Sequence, residues 1–143
     1  MTASCVFCRI ASGELPSNIV HRDARVVAFL DASPLFLGHT LVVPIDHVPT
    51  LDDLPAELTA PLFDVVRRMS VAVQRALDAE GSFVAANTRV SQSVAHVHVH
   101  VVPRRRKDGL RGFFWPRQKY ESDAAMAAVA EQLRVAISSR RAT

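Results

Sequence analysis

The sequence predicts an α+β fold: an antiparallel sheet of about five strands with two main helices. Three observations predict it. Short apolar runs rich in β-branched residues alternate with tight turn signals before residue 50 and again near residue 100. Two longer stretches instead repeat their apolar residues at helical spacing. The connections are short, with no internal repeat, low-complexity segment or long linker between them. At 143 residues the chain reads as a single domain, 1–143, with its core at about 5–103 and a basic segment and helix at 104–143.

Taken in order, residues 5–12 read as a short helical turn stopped by Gly13. Asn18–Arg22 and Val26–Leu30, separated by Asp23-Ala24, read as a hairpin. Thr40–Val43 is a third strand ended by Pro44, because proline removes a ladder donor. The clearest helix lies between Pro55 and Ala79, where Leu58, Leu62, Val65, Val66, Met69, Val73 and Leu77 share one face. Pro61 belongs in or near its first turn, where a missing N–H is harmless, and Gly81 is the expected C-cap. Phe83–Asn87 and Val94–Val102 read as two more strands. Ser122 and Asp123 cap a closing helix that runs through Met126, Val129, Leu133 and Ile137.

Composition excludes several classes. With 49% hydrophobic residues the chain is not mainly disordered. No apolar run reaches the length of a membrane span, and the first residues do not read as a signal peptide. Cys5 and Cys8 sit too close in sequence to brace a secreted domain, so a cytoplasmic protein is expected. The net charge of +3 hides an asymmetry. Residues 1–103 carry seven Lys/Arg against ten Asp/Glu, and residues 104–143 carry ten against four. A basic C-terminal third calls for an anionic partner, whether nucleic acid, membrane or a phosphorylated small molecule.

The segment His96-Val97-His98-Val99-His100-Val101-Val102-Pro103 carries the most chemistry. Strict alternation gives a strand with one histidine face and one valine face. Successive histidines would be about 6.6–7 Å apart and His96 about 13 Å from His100, so the three cannot share one metal ion. One imidazole then attacks or coordinates while its neighbours bind an anion or a metal. Cys5-Val6-Phe7-Cys8 is a lone CxxC. Alone it is compatible with half a zinc site, a redox pair or two inert thiols.

The histidine strand resembles the signature of the histidine triad family of nucleotide hydrolases and transferases. CVFCRIASGELPSNIV (5–20), VVAFLDASPLFLGHTLVVPIDHV (26–48) and the Asn87…Gln92-Ser93-Val94 approach are similar to family segments in the family order. The likeness runs from about Cys5 to Pro103.

The resemblance implies that His98 is the nucleophile. It would attack the α-phosphorus of a nucleotide conjugate, and water would hydrolyse the resulting nucleotidyl-imidazole. A neutral imidazole is available near pH 7, and two steps divide one high barrier. His100 would bind a phosphate oxygen or aid the leaving group, and His39 would support the site from a neighbouring strand. Asp31 would accept hydrogen bonds from ribose hydroxyls, since a carboxylate can serve both O–H groups of a diol. Phe7, Ile10 and Leu30 would surround a purine base. Asn87, Gln92 and Ser93 would meet the phosphates and the leaving group. Zinc-containing members imply a structural Zn²⁺ on Cys5, Cys8, His47 and His96.

One stretch departs from the family pattern: Asn87-Thr88-Arg89-Val90-Ser91-Gln92-Ser93 lacks the usual glycines. Glycine permits positive φ and close backbone approach, so main-chain phosphate binding loses its usual basis there. Arg89 is the residue expected to supply charge instead. The resemblance also implies a homodimer. The segment Arg104 to Lys119, with Phe113, Phe114 and Trp115 among its basic residues, then reads as a solvated strand exit or as a rim near the partner's pocket. A nucleic-acid surface ranks behind both. The function expected is nucleotidyl transfer from a phosphoramidate or dinucleoside polyphosphate to His98 and then to water. The alternative is a zinc-containing nucleic-acid- or protein-binding module with a non-catalytic triad.

Overall fold

A computed structural model of the chain describes residues 3–110 and 117–139. The chain divides into two units, one ending at Arg106 and the other beginning at Lys107. The first holds α1 (Val6–Ser12), β1 (Ile19–Arg22), β2 (Val26–Leu30), β3 (Thr40–Pro44), a 3₁₀ turn (Leu51–Asp53), α2 (Ala56–Leu77), β4 (Gly81–Ala85) and β5 (Val99–Arg104). The sheet is antiparallel throughout, in the order β1-β2-β3-β5-β4. This is the α+β architecture expected, with the last strand inserted between β3 and β4.

Strand alternation sorts side chains onto two covered faces. Val26, Ala28, Val42, Val99 and Val101 meet Leu62, Val65, Val66 and Val73 of α2. On the opposite face Val27, Phe29, Leu41 and Val43 meet Phe7, Ile10 and Ala11 of α1. Each fully buried side chain of this size contributes roughly 1.5–3 kcal/mol. Burial on both faces explains why β2 and β3 read as continuous apolar runs.

The short α1 is tied at its C-terminal end. Gly13 takes the left-handed conformation (φ 82°) and returns its N–H to the Ile10 carbonyl at 3.1 Å. The Arg22 guanidinium, from β1, donates to the Ala11 carbonyl at 2.7 Å and to that of Ile10 at 3.4 Å.

Several boundaries differ from the sequence reading, among them β4, which ends at Ala85 rather than Asn87. Pro44 belongs to β3, opposite Val26. Asp78, not Gly81, ends α2 in the left-handed region (φ 53°), and Gly81 opens β4. Asp is among the few residues that adopt this conformation readily. Pro61 is the sixth residue of α2, beyond the first turn. It cannot donate to the Glu57 carbonyl, and the Arg25 guanidinium does so instead at 3.1 Å. The ladder of β5 begins at Val99 rather than Val94, and Val97 donates its N–H to the Val48 carbonyl outside the sheet.

In the second unit α3 spans Asp123–Ser139, with the Ala125 N–H donating to Ser122 Oγ at 3.1 Å as the cap expected. Arg111, Phe113, Phe114 and Trp115 of the basic-aromatic segment lie outside the described residues. Part of the basic run is structural. Arg105 donates to the Leu77 carbonyl at the end of α2, and the Arg106 side chain lies 3.4 Å from the Glu80 carboxylate.

Candidate active site

The valine–histidine alternation divides one segment between the two faces. Val99 and Val101 turn to α2, while His98 and His100 turn to the face covered by α1. In the ladder His100 lies between Leu41 of β3 and Ala85 of β4. The His98 and His100 rings stand 5.0 Å apart, and Phe7 of α1 packs edge-on to His98 at 5.1 Å.

The hydrogen bonds assign a tautomer to each ring. His98 Nδ1 lies 2.7 Å from the main-chain oxygen of His96. A carbonyl only accepts, so Nδ1 carries the proton and Nε2 keeps its lone pair. His39 Nδ1 accepts the Leu35 N–H at 3.1 Å, which leaves the His39 proton on Nε2. Nε2 in turn lies 2.8 Å from His100 Nδ1, which must accept. His100 therefore carries its proton on Nε2. Two neighbouring imidazoles thus present opposite chemistry, a lone pair on His98 and a donor on His100.

Burial holds the His39 and His100 rings neutral. Desolvation lowers the His39 pKa, partly offset by Asp31, and pulls His100 down to about 4 with help from His98 and His39. Asp31 Oδ2 stands 3.7 Å from His39 Nε2, and Asp31 Oδ1 accepts the Ser33 N–H in a turn. Asp31, His39 and His100 thus offer three possible metal-ligand atoms close together. The 2.8 Å N···N distance is that of a shared proton, shorter than the roughly 3.3 Å edge of a tetrahedral N–metal–N pair. His39 and His100 therefore form a hydrogen-bonded relay, with the Asp31 carboxylate nearby and not bonded to it.

A second cluster has the opposite character. Cys5 Sγ lies 3.5 Å from His96 Nδ1, while Cys8 Sγ lies 3.3 Å from His47 Nδ1 and 3.5 Å from His96 Nδ1. Zinc bonds of about 2.3 Å to sulfur and 2.0–2.1 Å to nitrogen give tetrahedral S···N edges of about 3.5 Å, so the donors fit. His96 Nε2 donates to the Pro44 carbonyl at 2.8 Å, which turns the Nδ1 lone pair toward the cysteines. Burial raises the Cys5 pKa and pulls His96 down to about 4, costs that a central dication would offset. Cys5, Cys8, His47 and His96 are thus together, and His96 lies apart from the His98–His100 pair.

A cavity of about 560 Å³ opens on the α1 face. Phe7, Ile10, Leu30, Asp31, Ser93, His98 and His100 line it. Leu15, Pro16, Phe29 and Leu41 also line its apolar wall, none of them a site residue in the sequence reading. Leu41 could have been found from its register opposite His100. A separate cavity of about 420 Å³, between α2 and the β1–β3 side of the sheet, has no titratable residue in its lining.

Asn87 and Gln92 are not among the residues lining the α1-face cavity. Their amides brace their own loop instead. Asn87 Nδ2 donates to the Ser91 carbonyl at 3.2 Å. Gln92 accepts the Arg89 N–H at 2.9 Å and donates to the Pro49 carbonyl at 2.7 Å. The Arg89 guanidinium, read as a phosphate ligand, is paired with Asp52 at 2.9 Å.

Comparison with known proteins adds an independent line. The family model for the HIT domain matches residues 12–107. An uncharacterised HIT-like protein of Methanocaldococcus jannaschii is 41% identical over 107 residues, covering 73% of this chain and 82% of its own. An adenosine 5'-monophosphoramidase of Candida albicans is 31% identical over 127 residues, covering 85% and 84%. Among solved structures, SMU.412c from Streptococcus mutans superposes with a TM-score of 0.86 at 34% identity, covering 96% of this chain and 87% of that one. A zinc-bound histidine triad family protein from Mycobacterium smegmatis gives 0.72 at 36% identity, covering 93% and 97%.

Proposed function

The chain belongs to the HIT family, and on that premise we propose that it is a nucleotide hydrolase or transferase acting through a covalent nucleotidyl-histidine on His98. The substrate is a purine nucleoside phosphate conjugate of the phosphoramidate or dinucleoside polyphosphate class. The observation that carries this reading is the pairing of tautomers: a lone pair at His98 Nε2 beside an N–H donor at His100 Nε2, both rings lining one cavity. The monophosphoramidase relative supports the same class of activity.

In the first step His98 Nε2 attacks the α-phosphorus and the bond to the leaving group breaks, the leaving group departing with its electron pair. The His100 N–H donates to a phosphate oxygen or to that departing atom, a role worth roughly 10²–10⁴-fold in rate. In the second step water attacks the same phosphorus and passes a proton to solvent, the N–P bond breaks with its electron pair returning to His98 Nε2, and His98 leaves as neutral imidazole as a nucleoside monophosphate is released. The His96 carbonyl holds the ring and steadies the positive charge on His98 between the steps. Asp31 accepts the ribose hydroxyls, Phe7, Ile10 and Leu30 hold the base, and Ser93 lies on the phosphate side.

Cys5, Cys8, His47 and His96 would hold a structural Zn²⁺ that joins α1 to the histidine segment and takes no part in phosphoryl transfer. The protein works as a cytoplasmic homodimer. The test is rapid quench with an adenosine phosphoramidate, followed by intact mass. Wild type should show an acid-labile adduct of one nucleotidyl group, and His98→Ala should lose it together with at least ~10⁴ of the turnover. Turnover retained in His98→Ala would refute the reading.

A further inference from the structure

The glycine-free loop after β4 is built in an unusual way. Arg89 and Ser91 both occupy the left-handed region, at φ 65° and 60°, although neither is glycine. Such a backbone persists only where surrounding bonds over-determine it. Hydrogen bonds within the loop and beyond it supply that constraint. The Arg89 N–H donates to Gln92 Oε1 at 2.9 Å, and the Val90 N–H donates to the Thr88 carbonyl at 2.8 Å. Two further bonds leave the loop for one neighbouring segment: Gln92 to the Pro49 carbonyl, and Arg89 to Asp52 at 2.9 Å.

That segment is itself fixed. Thr50 donates to Asp53 at 2.7 Å across the 3₁₀ turn, and the Val48 carbonyl accepts the Val97 N–H, between His96 and His98. The loop is therefore tied to the backbone that carries the histidines. Ser93, the residue after Gln92, lines the cavity with His98 and His100.

We propose that the Asp52–Arg89 ion pair, with the Gln92–Pro49 bond, is a positioning device that sets Ser93 and the leaving-group side of the pocket. It does by cross-linking what glycine would do by permissiveness. Arg89 acts through the loop, and Asp52 is its anchor. This rests on the proposed nucleotidyl transfer, so the test needs one readout that does not depend on turnover.

The variants are Arg89→Ala, Asp52→Asn, and the charge reversal Asp52→Arg with Arg89→Asp; aspartate tolerates the left-handed backbone well. Two quantities are measured: amide hydrogen exchange across residues 89–93, and kcat and KM for an adenosine phosphoramidate. Each single variant should speed exchange and lower kcat by up to about fivefold, the upper end for an exposed ion pair. Affinity for adenosine monophosphate, read by calorimetry, should hold, because Phe7, Ile10 and Asp31 lie on other elements. The reversal should restore both quantities. Exchange and kcat within about twofold of wild type in both single variants would overturn the proposal, as would a reversal no better than either one. If wild type turns over no conjugate, the functional reading fails by itself, and the exchange data alone then decide whether the pair fixes the loop.

Discussion

One main-chain N–H sets the protonation pattern of two histidines. Leu35 donates to His39, His39 to His100, and each bond leaves the next ring one choice of tautomer. The price is that both rings must stay neutral where they are buried. Unfolded, each would take up a proton near pH 6.5. Between that value and about 4 for His100, the unfolded chain therefore binds more protons than the native one, and stability rises with pH. The contribution is complete above pH 6.5 and drains as pH falls toward 4. His39→Gln tests this, because the longer amide can still donate to His100 but does not titrate. Thermal melts of the metal-loaded protein should place it within about 1 kcal/mol of wild type at pH 7.5 and show a shallower loss at acid pH. An unchanged acid slope would mean that the relay is not the acid-sensitive element.

At the scale of elements, most of the order along the chain was legible, because it rests on side-chain pattern. The hairpin, α2 and the histidine strand follow from period-2 and 3.6-residue spacing. The features that escaped depend on backbone partners, which leave no pattern. Nothing in the sequence said that the Val97 N–H would go to Val48 and delay the ladder to Val99, or that Arg25 would take the carbonyl Pro61 leaves free. The site divides the same way. His98, His100, Asp31 and Phe7 could be read from residue type and resemblance, whereas Gln92 is spent on a loop that only the fold defines. The Cys5, Cys8, His47 and His96 cluster joins three such elements: α1, the segment after β3 and the approach to β5. Removing the zinc proposed there should release α1, and with it Phe7 and Ile10. Wild type is expected to carry one zinc per chain by elemental analysis. Chelation or Cys8→Ser should lower Tm by roughly 10 °C and raise KM more than it lowers kcat. Full stability in zinc-free protein would remove the cluster from this role.

At the scale of the whole molecule, the sheet formed by the described residues has two edges, β1 and β4, and they are unlike. β1 is interrupted by a register shift between Ile19 and His21, and its Arg22 is committed to α1. Irregularity and charge are how edge strands avoid pairing with other chains. β4 has neither. Its five residues, Gly81 to Ala85, pair in unbroken register with β5 and carry no charge, and Val84 remains 42% exposed. Such an edge is suited to antiparallel addition of β4 from a second copy, a self-complementary contact of the kind that closes a two-fold dimer. It is the edge on which the homodimer proposed above would form. A lysine at the exposed Val84 position would place two like charges across that contact, while Phe83 and Ala85 on the opposite face stay as they are. Light scattering after size exclusion should therefore give a dimer mass for wild type and a monomer mass for Val84→Lys, with little change in Tm at low protein concentration. A variant that stays dimeric would move the interface away from β4. A monomeric wild type would remove the homodimer altogether, and the pocket would then have to work with residues of one chain.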